Sequence, residues 1–175
     1  MRIMDDGEAI LHPDPDEILA LTAEAVLPYM ANLWTVESDS GHPDLDTLLG
    51  AGQLARRRRT DGVEECLTDW LRKRSDYPAW DVVGLFLMGF WCGRQSVDPE
   101  LVVRLVDSLR DSDLPESARD SVINALGCAH RLVDQPSLAR RIEDVFRPLW
   151  ARRQEHRLQP GVEATLSHIL EGKNS

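Results

Sequence analysis

The sequence predicts an all-α domain of about eight helices, and three observations carry that expectation. Apolar residues recur at spacings of three and four along most of the chain, with no strand-type alternation of useful length. The stretch 79–94 is apolar on nearly every side, as a helix in the middle of a helical domain has to be. Between positions 61 and 171, apolar triads return at regular steps of 37 to 38 along the chain. A chain of 175 residues is one domain of ordinary size and can bury a self-sufficient core without disulfides or metals.

Taken in order, residues 1–13 carry little periodicity and are expected as an acidic tail ending at His12-Pro13. Asp14-Pro15-Asp16-Glu17 then reads as a helix start, with Asp at the cap, Pro in the first helical position and carboxylates at the positive end of the dipole. That helix runs to about Trp34 with Ile18, Ala25, Val26, Met30 and Leu33 as its stripe, and Pro28 is placed to kink it. After the polar loop 37–43, a second helix from Pro43 to about Arg58 buries Leu45, Leu48, Leu49 and Leu54, while Gly50 and Gly52 weaken its middle. Residues 14–60 thus make an N-terminal helical pair. Further helices are expected at about 61–75, 79–94, 99–111, 115–133, 136–154 and 160–171, separated by turns rich in Asp, Pro, Gly and Ser, with a tail at 172–175. The uncharged run 82–93 is well short of the ~20 residues that a bilayer crossing needs.

The last six helices pair into three units. Val63, Leu67 and Leu71 return one step later as Leu101, Leu105 and Leu109, and a second step later as Leu138, Ile142 and Phe146. The second helices agree: Leu85, Met88 and Gly89 return as Ile123, Leu126 and Gly127, while Val122 and Leu126 return as Val162 and Leu166. Two helices per unit at this period is the signature of stacked hairpins, each burying its stripe against its neighbours. The clearest unit starts at Asp98-Pro-Glu-Leu-Val-Val-Arg-Leu, turns at Asp113 and continues as Glu116-Ser-Ala-Arg-Asp-Ser-Val-Ile-Asn-Ala-Leu-Gly. It resembles HEAT repeats. The resemblance covers about 61–171 and implies a short right-handed α-solenoid, about four hairpins in all with 14–60, of the kind that commonly serves as a binding scaffold; it implies no reaction.

Charge is unevenly placed. Residues 1–50 hold eleven Asp and Glu against one Arg, net −10, and residues 51–175 hold nineteen of each sign, net 0. Such a field repels a phosphate backbone at long range and attracts a basic protein. The three cysteines, Cys66, Cys92 and Cys128, are widely spaced in apolar helical context, which predicts a reducing, cytoplasmic setting and no disulfide framework. The N-terminus turns acidic at once and has no leader-like segment. Eighteen Arg against two Lys reflects a GC-rich bacterial genome rather than chemistry.

No motif points to catalysis, a cofactor or a metal. His12, His42, His130, His156 and His168 form no metal-binding pair on one helical face, and Cys128 and His130 project from nearly opposite sides. Nucleophile-elbow, phosphate-loop and dinucleotide-binding patterns are missing from the sequence. The run Arg56-Arg57-Arg58-Arg59, with Arg72 and Arg74, offers contacts to nucleic acid, but cations at helix C-termini complement the dipole and Asp61, Glu64 and Glu65 follow at once. Trp34, Trp70, Trp80, Trp91 and Trp150 all fall on or near apolar stripes and are expected in the core.

The candidate partner contacts are two groups on the second helices. In 115–133 the core stripe Val122, Leu126, Ala129 and Val133 leaves Asp120, Asn124 and Arg131 as a polar strip. One repeat earlier that strip becomes apolar, at Val82 and Phe86, with Phe90 nearby; either the helix 14–34 covers them or they anchor a partner. The expected function is therefore protein binding, as an accessory subunit or an acidic inhibitor of a basic target, with a second copy of the chain as a further partner. The alternative is a nucleic-acid-binding HEAT-like protein, such as a helical-repeat DNA glycosylase.

Overall fold

The structure is a computed structural model that describes residues 2–3, 9–10, 45–57, 62–73, 77–111, 114–156 and 158–172. Among them are eight helices: α1 Leu45–Arg57, α2 Val63–Lys73, α3 Tyr77–Trp91, α4 Pro99–Asp111, α5 Glu116–His130, α6 Pro136–Ala151, α7 Arg153–His156 and α8 Pro160–Glu171. Among the described residues the regular structure is helical apart from one short ladder, β1 Arg2–Ile3 antiparallel to β2 Ala9–Ile10, inside the stretch expected as tail. The expected helix 14–34, the loop 37–43 and Asp113 lie outside the described residues.

Local chemistry sets the helix ends. Pro99 and Pro160 open α4 and α8 where a missing N–H costs nothing, and Asp98 Oδ1 caps α4 by accepting the Glu100 N–H at 2.9 Å. The expected helix 79–94 begins two positions earlier and stops at Trp91, because Gly93 takes a left-handed φ of 80° and turns the chain. The expected helix 136–154 is two helices: α6 carries Pro148 in its last turn, Arg152 caps it, and α7 follows as a separate turn.

The helices pack in two rows. In the first, α1 lies on α3, α3 on α5 and α5 on α8; in the second, α2 lies on α4 and α4 on α6. The second row packs across onto the first through α2–α3, α4–α5, α5–α6 and α6–α8 contacts. The recurring triads line the join: Val63, Leu67, Leu71, Leu101, Leu105, Leu138, Ile142 and Phe146 are buried, as are Ile123, Leu126, Val162 and Leu166, while Leu109 is half-buried. Helix α3 is enclosed as its composition requires, with Val83, Phe86, Leu87 and Trp91 each 0% exposed.

The first row is held by glycines. A Cβ on Gly52 would lie 2.1 Å from the Phe86 carbonyl oxygen, and one on Gly89 would lie 2.1 Å from that of Leu49, so α1 and α3 meet backbone to backbone. A Cβ on Gly84 would sit 2.7 Å from the Ser121 carbonyl carbon, and one on Gly127 would sit 2.3 Å from Thr165 Cγ2. Positions 52, 89, 127 and 165 are nearly evenly spaced at the step of the apolar triads, so the repeat register extends back into α1.

Two stability predictions result. Leu105→Ala should cost about 2–5 kcal/mol in urea unfolding, the range of a buried Leu truncation; a loss within the surface range of about 0.5 kcal/mol would contradict its placement. Gly89→Ala should destabilise by about 1–3 kcal/mol or more because backbone must move, and Gly127→Ala by less because the Thr165 side chain can rotate. Gly50→Ala meets nothing and should gain up to about 1 kcal/mol of helix propensity. The reverse order across the three variants would overturn the glycine contact.

Candidate functional site

The described concavity with the most chemistry lies where α2 begins, α3 ends and α4 begins. It is a cavity of about 170 Å³ lined by Gly62, Val63, Glu64, Glu65, Phe90, Arg94 and Asp98. Gly62 enters α2 with φ 74°, a left-handed turn that brings Glu64 and Glu65 into the first helical turn, where carboxylates complement the dipole.

Glu64 is the hub. Its Oε1 accepts the Trp91 indole N–H at 2.6 Å and the Asp98 backbone N–H at 2.9 Å, and its Oε2 faces Arg94 Nη2 at 3.4 Å. Arg94 in turn lies over the Phe90 ring, 4.4 Å from its centroid. One carboxylate therefore ties α2 to the end of α3 and the start of α4. With three carboxylates and one guanidinium the lining carries a net charge of −2. Glu64, Arg94 and Asp98 each have a partner within the fold, which fixes the shape of the cavity. Among the described residues no group of three or more His, Cys, Asp and Glu could hold a metal ion, and no helix is long and apolar enough to cross a membrane.

The residues proposed from sequence fall elsewhere. Phe86 and Phe90, offered as partner anchors, are 0% and 1% exposed and stack at 5.8 Å between ring centroids, with Gly52 of α1 against their backbones. They belong to the core. The side chain of Val82 lies outside the described residues. Asp120 is buried beside Arg119, whose Nε is 3.6 Å away, and Asn124 Oδ1 accepts the Thr165 hydroxyl at 2.9 Å. Of the three, only Arg131, which caps α5, is exposed. The polar strip is thus not a continuous surface, because α8 packs along that side of α5.

The cations are dispersed in the same way. Arg56 lies against Gly93 in the first row, with Nη1 2.7 Å from where a Cβ would be, and Arg57 is exposed in the last turn of α1. Arg72 belongs to the second row, paired with Asp69 on its own helix and with Glu100 on α4. The Arg72 guanidinium donates to the Glu100 carboxylate and holds it below the usual carboxylate range. Arg58, Arg59 and Arg74 lie outside the described residues. Arg153 covers Trp150 at 4.1 Å and donates to its carbonyl, as a helix-end cation does.

Sequence reasoning placed Glu64 only as a neutraliser of the arginine run. Its partners Trp91 and Asp98 are distant in the chain, so no local pattern marks it. No protein-family model, curated protein or solved structure matches this chain.

Glu64→Ala leaves the Trp91 and Asp98 donors unmatched and should cost about 1–3 kcal/mol in urea unfolding. Glu64→Gln keeps an acceptor for both and loses only a partly exposed ion pair, about 1 kcal/mol or less. Equal losses in the two variants would mean that the Arg94 pair, not the hydrogen bonds, is what Glu64 supplies.

Proposed function

We propose that this chain is a protein-binding scaffold, a short HEAT-like right-handed α-solenoid of about four hairpins, whose partner is a basic protein. The observation that carries it is the repeat register: positions 52, 89, 127 and 165 occupy successive helices of one row, and the apolar triads occupy successive helices of the other. Stacked hairpins bury their stripes against one another and leave faces and loop ends for partners.

Two charge features support a basic partner. Residues 1–50 carry net −10 and the Glu64 cavity carries net −2, whereas the described arginines of two clusters lie in different rows, and Arg72 is committed to Asp69 and Glu100. Nucleic acid meets repulsion at the acidic end and no shared basic face among the described residues. An accessory or inhibitory role in the cytoplasm fits such a scaffold, and no catalytic step is needed.

The test is capture on the immobilised full chain, followed by mass spectrometry and stopped-flow association. The expected partner is a protein of net positive charge whose on-rate falls as salt rises through ~0.15 M, where the Debye length is ~8 Å. Glu65→Lys, exposed at the cavity, should slow association, while a cation in the first turn of α2 costs at most about 2 kcal/mol of stability. Retention of duplex DNA at ~0.15 M salt, or a partner whose on-rate ignores salt, would overturn the proposal.

A further inference from the structure

Two of the three cysteines, Cys92 and Cys128, lie near the seam between α3 and α5. At Gly84 the backbone of α3 touches Ser121 of α5. From Ser121 the stripe that faces α3 continues at steps of four and three to Ala125 and Cys128; from Gly84, steps of four lead to Met88 and then to Cys92 just past the end of α3. The residues that follow the two helices, Ser96, Val97 and Pro99 after α3 and Leu132, Val133 and Asp134 after α5, line one cavity, so the helices end side by side and both thiols lie toward that end. They are free thiols, Cys92 exposed and Cys128 half-buried. Burial, and after it the neighbouring Cys92, push the Cys128 thiol up, in keeping with that placement.

We propose that Cys92 and Cys128 are a redox couple that closes to an intramolecular disulfide when a peroxide reaches the exposed Cys92. The chemistry balances with the peroxide as sole oxidant. Cys92 Sγ, as thiolate, attacks one peroxide oxygen; the O–O bond breaks, hydroxide leaves and takes up a proton as water, and Cys92 becomes a sulfenic acid. Cys128 Sγ then attacks Cys92 Sγ, the S–S bond forms, the S–O bond breaks, and a second water leaves with the Cys128 proton. Cys128, half-buried, is shielded from the oxidant that reaches Cys92, and it gives up its proton as it attacks the sulfenic sulfur. The bond would tie α3 to α5 and lock two neighbouring units of the first row together.

Treating the native full chain with dilute hydrogen peroxide, then counting maleimide-reactive thiols after denaturation, tests this. The expected count falls from three to one, the intact mass loses two hydrogens, and digestion yields a peptide pair joined through Cys92 and Cys128. Cys66→Ser should still form the bond, and Cys92→Ser should keep both remaining thiols free of any disulfide. Three free thiols after treatment, a bond involving Cys66, a bond only between chains, or a bond that forms as fast in denaturant as in the native chain would each overturn it.

Discussion

Backbone-to-backbone contact in the first row is the constraint on which the rest of the molecule depends. Helices normally stand about 8–10 Å apart because side chains separate them. At Gly52 and Gly89 nothing separates α1 from α3, and at Gly84 little separates α3 from α5. The second row is different, since Val, Leu, Ile and Phe side chains fill the space on which α2, α4 and α6 rest. A stack whose two rows have unequal spacing bends toward the closer one, so in the proposed solenoid the glycines also supply curvature.

Polar groups then fix how successive units sit. Glu64 joins three elements with one side chain, and since it is mostly shielded its hydrogen bonds count for more than its ion pair. On the second row, Arg72 reaches Glu100 on the next helix and Asp107 accepts from Arg141 on the one after, at 3.1 Å. His130 and Glu143 connect α5 to α6 at 3.2 Å. These pairs are exposed or half-exposed, so each adds little stability. What they add is register: a unit slipped by one turn would lose every one of them.

Much of this was legible in the chain because buried stripes leave a period, and a period needs no knowledge of what packs where. The triads beginning at Val63, Leu101 and Leu138 are buried as their spacing implies, and Leu109 is the one that stays half-buried. Gly52 shows the limit. Helix propensity registers only its cost, while its value lies in what it allows Phe86 and Phe90 to approach; the signal was that it stands one repeat step before Gly89. The burial of Asp120 and the Thr165 bond to Asn124 are hidden for a related reason: one helix's own periodicity separates core from non-core, but cannot show that α8 lies against Asn124. The proposed pairing of Cys92 with Cys128 is equally invisible in the chain, because it depends on the crossing of α3 and α5 at Gly84.

The same constraint separates the parts of the fold whose faces are fixed from those that are free to vary. The first row leaves no room at its crossings, so its buried faces cannot change to suit a partner without moving backbone. Loops and helix starts are under no such restriction, and the cavity at Glu64, Glu65 and Asp98 is built from a helix start and a loop. Charge follows the same division: the described arginines Arg72 and Arg141 are used for holding neighbours, and residues 51–175 balance to zero, whereas residues 1–50 carry the whole net charge. Charge concentrated in one segment of the chain acts over about a Debye length, ~8 Å in physiological salt, so in the proposed scaffold it favours a basic surface that approaches that segment. Rigid contacts in the body and charge concentrated in one segment of the chain together suit the proposed scaffold, which would offer a fixed surface to a partner in one orientation.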